Sequence, residues 1–516
     1  MSLNYFKKAA VFAAPLLVAA LAQGQASPWA ALSNAAPSPA GTMLLLTDGR
    51  VMAQEAGCTN AWMILTPSSN GNYATGTWST TAVMGTSRLY FASTVLPSGK
   101  VWVLGGEYSS VSGCGADWIN TGEIYDPVAN TWTAITNYPN GSFGDDPSEL
   151  LPGGNIIAGD IGSPTPHIYN IATNTWSTAG TKVYNDQSDE EGWAKLPNGN
   201  FIAYDIFESI GTGVGHSEEY NPGTNSWSSI TPGVNGTTGT LPLLSSGALG
   251  EELGPLMRLL DGRILVIGAN QHTALYNPTA NSWAAGPDTL GPSVGNCASN
   301  CAFGADDAPA ALLPTGHVIF AADAGPTSGT FAAPTYLFDF NPVAGTTTLM
   351  SPQPPDAAQL AVDPAFICRT LMLPTGQLLF SDGATQTLYI YTPSSTLAAP
   401  PYRPVVQGVT FNSGVFTLTG LQLNGQSAGA YYGDDVVTDE NYPIVRIMTP
   451  NGATTYYAKT TNWSSVAVGS VGQETVNFTL PDCVPSGNYS LIVSGAGIQG
   501  VPFAINIAAS SCGTNQ

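Results

Sequence analysis

The sequence predicts an all-β protein, a seven-bladed β-propeller followed by a small β-sandwich. Three observations carry this. Seven turns built on glycine interrupt apolar runs at Gly49, Gly99, Gly154, Gly199, Gly262, Gly316 and Gly376. A second marker running from a Tyr to a Trp follows several of them. Beyond Pro400 and Pro401 the recurrence stops and short alternating strands take over.

The turn glycines lie 45 to 63 residues apart. In an all-β pattern a period of about fifty residues is that of a kelch-type propeller, one four-stranded blade per repeat. Each turn joins apolar runs and therefore the first two strands of its blade. The second marker appears at Tyr125 and Trp132, Tyr169 and Trp176, Tyr220 and Trp227, and Tyr276 and Trp283, with Trp78 a weaker first copy. Its Pro and Asn residues suit a hairpin between the third and fourth strands. Its Trp suits the apolar seam between blades, so these Trp read as packing residues rather than a sugar platform.

The last repeat has its turn at Gly376 and a third strand at 388–391, but no Trp strand follows. Residues 27–32, with Trp29, resemble residues 130–135, with Trp132. Residues 27–33 are therefore expected to supply the outer strand of the last blade, closing the ring and removing its free edges. The chain divides into a signal segment at 1–26, a propeller at 27–398, a linker at 399–404, an Ig-like domain at 405–508 and a tail at 509–516. Alternating runs at 415–419, 444–447, 475–480 and 489–493 point to the Ig-like sandwich. No sustained helical periodicity is expected after the signal segment.

Only 9% of residues are charged, yet 35 acids against 13 bases leave a net charge of −22. Such a surface repels phosphate backbones and anionic headgroups, which makes nucleic acid and membrane surfaces poor partners. It suits cations, Ca²⁺ among them, and neutral polyhydroxylated ligands. Lys7 and Lys8 precede an apolar stretch at 9–22, the pattern of a cleaved export signal. An uncleaved anchor is the alternative, but the stretch is short for a span. No later stretch is apolar enough to cross a bilayer, and a secreted monomer is expected. The seven Cys fit an oxidising compartment. The pairs Cys58–Cys114, Cys297–Cys301 and Cys483–Cys512 are candidate disulfides, leaving Cys368 as a buried thiol.

Candidate chemistry gathers on the face opposite the glycine turns. Just before the first strand of four successive blades stand Asp145 and Asp146, Glu190 and Glu191, Glu251 and Glu252, and Asp306 and Asp307. The innermost strand starts beside the propeller axis, so these pairs are expected to crowd the mouth of the central channel. A second set, Glu55, Asp160, Asp205, Asp323 and Asp382, closes second strands on the same face. Crowded carboxylates need a cation, a proton or a donor between them. They can form a hard-cation site or a collar for sugar hydroxyls; alternatively, each caps backbone N–H groups of neighbouring loops. His216 and His272 share one phase in adjacent blades and are candidate metal ligands, with His167 nearby. Hydrogen-bonded loop histidines are the alternative, and His317 follows a turn on the opposite face. No nucleophile elbow, phosphate loop, zinc-protease motif or dinucleotide fingerprint stands out.

The combination of propeller, C-terminal Ig-like domain and the motifs Leu418-Thr-Gly420, Tyr432-Gly-Asp-Asp435, Asn441-Tyr-Pro443 and Asn462-Trp-Ser464 resembles the secreted galactose oxidase and glyoxal oxidase group, with its early-set domain. The resemblance spans nearly the whole chain after the signal segment and implies a secreted, carbohydrate-related context. It also implies a copper-radical site, with adjacent Tyr and His shortly before a late glycine turn. Phe366 and Ile367 occupy those positions here. A further His ligand is implied near 460–464, yet His317 is the last His, and no Cys–Tyr cross-link is evident. Copper is thus disfavoured. The leading expectation is a non-oxidase protein that binds a glycan or cell-surface partner on its acidic face, with or without a bound cation. The alternative is an enzyme, either a divergent metal-dependent carbohydrate or aldehyde oxidase or a carboxylate-based hydrolase.

Overall fold

The computed structural model describes residues 27–245, 252–324, 331–428, 430–432, 435–437 and 441–508. Residues 1–26, expected as a signal segment, and Glu251 and Cys512 lie outside these residues. Seven antiparallel blades form a kelch-type propeller, six of them four-stranded sheets and the fifth a four-stranded core extended to seven strands. Blade 1 comprises Ala40–Leu45, Val51–Glu55, Trp62–Thr66 and Thr77–Thr80; blade 2 comprises Ala92–Val95, Val101–Leu104, Gly122–Asp126 and Thr131–Ala134. Blades 3, 4, 5 and 6 begin at Ser148–Leu150, Trp193–Lys195, Leu256–Arg258 and Ala310–Leu312. Blade 7 combines Arg369–Met372, Leu378–Ser381 and Tyr389–Tyr391 with the N-terminal strand Trp29–Ala31, which pairs Trp29 with Tyr391 in antiparallel register.

Each glycine turn follows one pattern. The Gly49 N–H donates to Leu46 and the Leu46 N–H to Arg50, and the other six turns repeat this pair of bonds. The turn glycines all have φ between 75° and 90°, a left-handed conformation in which a Cβ would be strained. This explains why the sequence repeats Gly there and nowhere else so regularly.

The Tyr-to-Trp marker is a clasp between blades. Tyr125, Tyr169 and Tyr220 donate their hydroxyls to Asn130, Asn174 and Asn225 at 2.8–2.9 Å. Those Asn side chains in turn accept the N–H of Ala82, Thr136 and Gly180 in the preceding blade, each at 2.8 Å. Trp132, Trp176 and Trp283 complete it by donating Nε1–H to Ala82, Thr136 and Ile230, each at 2.9 Å. Each Asn sits at φ near 50°, a region that Asn tolerates better than most side chains.

The C-terminal sandwich comprises eight strands, from Val405–Asn412 to Phe503–Ile507. Thr455–Thr461 joins its two layers, pairing with Ile444–Met448 through its first half and with Gln473–Thr479 through its second. Leu418, Val476, Phe478, Val445, Ile447 and Leu491 fill the space between. The domain sits on the glycine-turn face. Asn462 N donates to Pro97 O at 2.7 Å, Ser494 Oγ to Pro374 O at 2.9 Å and Arg258 Nη1 to Gln426 O at 2.6 Å. A hairpin of Ala430–Tyr432 and Asp435–Val437 runs on into the ring, pairing with Leu256 and lying against the innermost strands of blades 1, 2, 4, 5 and 7.

One element departs from the sequence reading. A short helix, Ile206–Thr212, follows the second strand of blade 4, with Ile206 and Ser209 buried. Seven residues give too few turns for periodicity to register. Among the described residues no helix is long and apolar enough to cross a membrane.

Candidate functional site

A cavity of about 400 Å³ opens at the channel mouth on the acidic face. Its carboxylate side is Glu107, Asp145, Glu190, Glu252 and Asp307, and its aromatic side is Tyr90, Tyr108, Phe331 and Phe366. The rings form a continuous wall. Tyr108 meets Tyr90 at 6.0 Å, Tyr90 meets Phe366 at 6.1 Å, and Phe366 meets Phe331 at 4.7 Å. The Cys58–Cys114 disulfide closes one edge. The lining contains no Lys, Arg or His.

The acid pairs do not all crowd the mouth. One member of each described pair reaches the cavity, and Asp146, Glu191 and Asp306 are buried beside it, outside the lining. Successive residues of an extended chain point to opposite sides, so a pair entering a strand cannot present both carboxylates to one space. The backbone reinforces the choice: Asp145, Glu190 and Asp307 have φ of 60°, 60° and 47°. Three acidic residues in a left-handed conformation around one opening are strained outliers of a kind that clusters at functional sites.

The electrostatics follow from this crowding. Burial, then Glu107, pushes the Asp145 carboxyl up to about 8, against a 2.6 Å hydrogen bond from Trp118 Nε1. Burial, then Asp307, holds Glu190 well above the ordinary carboxylate range. Carboxylate oxygens of Asp145, Asp189 and Glu190 come within 4.8 Å of one another, and so do those of Glu190, Glu252 and Asp307. Because the folded-state pKa of Asp145 lies above its ordinary value of 3.8, its contribution to stability is full below that value and lost as pH rises through about 8. Thermal unfolding should therefore occur at lower temperature at pH 8 than at pH 5. Asp145→Asn should shrink that difference; an unchanged difference would assign the pH dependence elsewhere.

A third acidic group, Asp186, Glu191 and Asp205, is wholly buried and holds a cation of its own. Lys182 reaches Glu191 and, at 2.9 Å, Asp205. Three of the remaining second-strand acids serve the fold, Glu55 not among them. Asp160 accepts from Tyr138 and Gly162, Asp323 from Ala365, and Asp382 from Ala384 and Thr385. For this set the capping alternative describes the contacts.

The histidines are not brought together. His216 lies against Tyr184 at 4.7 Å with Nδ1 beside Val214 O at 3.0 Å, and His272 pairs with Asp288 at 2.8 Å. Neither lines the cavity, and no group of three metal-ligating side chains among the described residues includes one. His167 contacts Tyr138 at 3.0 Å, and His317 pairs with Asp339 at 2.7 Å. Residues 460–464, where the resemblance puts a ligand, lie on the turn face instead; the C-terminal segment inside the ring is the 430–437 hairpin. Cys58–Cys114 and Cys297–Cys301 are disulfides, and Cys368 is a buried thiol whose pKa burial pushes up.

Sequence reasoning missed Glu107, Asp189, Lys182 and the aromatic wall as a unit. Asp189 had a signal, since it extends the Glu190–Glu191 pair to three consecutive acids. The four rings come from three distant parts of the chain and had none.

Residues 88–137 match the kelch motif, and they cover most of blade 2. No curated protein matches the chain. Among solved structures it is similar to one described as a novel fungal alcohol oxidase with catalytic diversity among the AA5 family, in complex with copper. That similarity has 14% identity and a TM-score of 0.48, and covers 93% of this chain and 99% of the other. Blade 2 is thus a kelch repeat by sequence as well as by shape.

Proposed function

We propose that this is an exported, galactose-oxidase-like kelch protein that binds a neutral carbohydrate at the acidic mouth of its propeller. The observation that carries the reading is the shared cavity: a run of four aromatic rings and five carboxyl-bearing residues line the same space. Aromatic faces cover the C–H side of a sugar ring while carboxyl groups accept from its hydroxyls. A protonated Asp145 adds a donor to that set. The net charge of −22 selects against anionic ligands. Two disulfides, together with the expected export signal, support an oxidising, extracellular setting.

The donors around the cavity do not fit a copper-radical centre. Phe366 contributes a hydrocarbon ring, Ile367 offers no ligand atom, and Cys58 is held by Cys114. Among the described residues no His lines the space. Calorimetric titration with a panel of neutral oligosaccharides tests the binding reading. Tyr90→Ala and Phe366→Ala should each weaken binding about tenfold, on the order of 1.4 kcal/mol. Binding that both variants leave unchanged would refute the aromatic wall as the site. Asp145, with its raised pKa beside ionisable neighbours, is the one feature that favours a hydrolase. Release of reducing ends during the titration, abolished by Asp145→Asn, would move the assignment there.

A further inference from the structure

We infer that a slot between the turn face of the propeller and the C-terminal domain is a second binding site, for a neutral oligosaccharide. The inference goes beyond the reading of the acidic mouth and does not rest on it. The slot encloses about 570 Å³. One wall is made by the glycine turns of blades 2, 3 and 4, through Pro97, Pro152 and Pro197. The other is the sandwich segment from Asn462 to Ser470.

The turn of blade 3 is what leaves the slot open. The residue before the turn glycine is Asp48, Ser98, Asn198, Asp261, Thr315 or Thr375 in six blades, and in blade 3 it is Gly153. At blades 1, 2 and 7 the sandwich closes down on the turns. A Cβ on Gly49 would lie 2.1 Å from the Tyr457 ring, and one on Gly99 would lie 3.1 Å from Lys459 Cε. A Cβ on Gly376 would lie 3.2 Å from Gln499 Nε2. One on Gly153 or Gly154 would meet nothing within 4 Å. Blade 3 therefore has neither a side chain before its turn glycine nor a cover over it, and both glycines line the slot.

The chemistry of the walls selects the ligand. No charged side chain lines the slot, so an ion entering it would lose hydration without gaining a countercharge. The proline rings present hydrocarbon, which suits the C–H faces of sugar rings. Polar groups stand among them. Asn198 accepts Asn200 N–H through Oδ1 at 3.0 Å, and Ser464 Oγ accepts Thr475 N–H at 2.8 Å. The amide hydrogens of Asn198 and the hydroxyl hydrogen of Ser464 are left to donate. Asn462 is held by its backbone N–H on Pro97 O at 2.7 Å, and its side chain is exposed. Trp463 is 7% exposed and belongs to the wall, where Tyr442 stacks on it at 5.1 Å. Its Nε1 is buried without a hydrogen-bond partner among the described residues. Trp62, Trp102 and Trp227 share that state but line neither the slot nor the mouth.

The experiment is calorimetric titration of the full chain with cellohexaose, xylohexaose and galactohexaose, with the mouth disabled by Tyr90→Ala and Phe366→Ala together. At least one of these sugars should still bind that variant and quench the fluorescence of Trp463, identified by its loss in Trp463→Phe. Asn198→Asp keeps the Oδ1 acceptor of its turn and removes the amide donors. Asn462→Gly suits the φ of 51° at that position. Added singly, each should weaken the remaining binding at least about fivefold. Both side chains are exposed, so neither change disturbs a core. Should the mouth variant misfold, Asn198→Asp and Asn462→Gly together in the otherwise wild-type chain decide, by abolishing the Trp463 quench. Loss of all sugar binding in a folded mouth variant, or affinity and quench unchanged by the slot variants, would overturn the slot. Binding that the mouth substitutions leave at wild-type strength while the slot variants weaken it would refute the mouth reading instead, so the two readings fail separately.

Discussion

Replacing Lys182 with Met is expected to destabilise the propeller by about 3–5 kcal/mol at neutral pH, the cost of leaving buried charges uncompensated. Lys182 is 3% exposed and is the cation that reaches both Glu191 and Asp205. Its own pKa is raised, chiefly by Asp205 and then Glu191 acting against burial, so its stabilisation is full at and below neutral pH. Without it, Glu191 and Asp205 must stay protonated in the folded chain. Burial raises both of their pKa values, so the defect of the variant should be small near pH 4 and grow toward pH 8. Denaturant unfolding at the two pH values checks this. A defect of equal size at both would mean that Lys182 acts through packing, including its place 5.9 Å over the Trp227 ring, rather than through charge. Adding Glu191→Gln and Asp205→Asn should restore part of the loss.

Trp29→Ala is expected to cost about 3–5 kcal/mol, the range for truncating a buried Trp. Trp29 is 5% exposed, packs 5.0 Å from Tyr391 and 5.8 Å from Phe380, and donates Nε1–H to Pro352 O at 3.0 Å. Its strand is the outer edge of blade 7, so the substitution also loosens the contact that joins the two ends of the ring. Deleting residues 27–33 should go further and leave Tyr389–Tyr391 as an exposed edge prone to association. Comparing the unfolding of Trp29→Ala with that of Trp132→Ala, at a partly exposed position of blade 2, separates closure from clasp. Equal effects would show that ring closure adds nothing beyond one buried indole.

How much of this could be read in advance depended on the range of the interaction. The glycine turns were legible because their cause is local: each needs a left-handed residue three positions after a Leu. The Tyr, Asn and Trp of the blade clasp were legible for the same reason, although their hydrogen bonds cross to the preceding blade. Asp145 and Glu190 could be placed on the correct face because strand order sets the face. Which acid of each pair turns inward could not be read, since it depends on a single backbone dihedral at the strand entry.

What the sequence determined by itself is the all-β architecture, the number of blades, the origin of the last outer strand and the acidic character of one face. Periodicity and turn chemistry act over a few residues, so they leave a trace that repeats. The tertiary structure alone decided that Tyr90, Tyr108, Phe331 and Phe366 share a wall, that Lys182 pairs with Glu191 and Asp205, and that a C-terminal hairpin lies against the innermost strands of five blades. Those contacts join residues of different blades and loops, from 9 positions apart for Lys182 and Glu191 to more than two hundred for Tyr90 and Phe366, and only the folded ring brings them into one place.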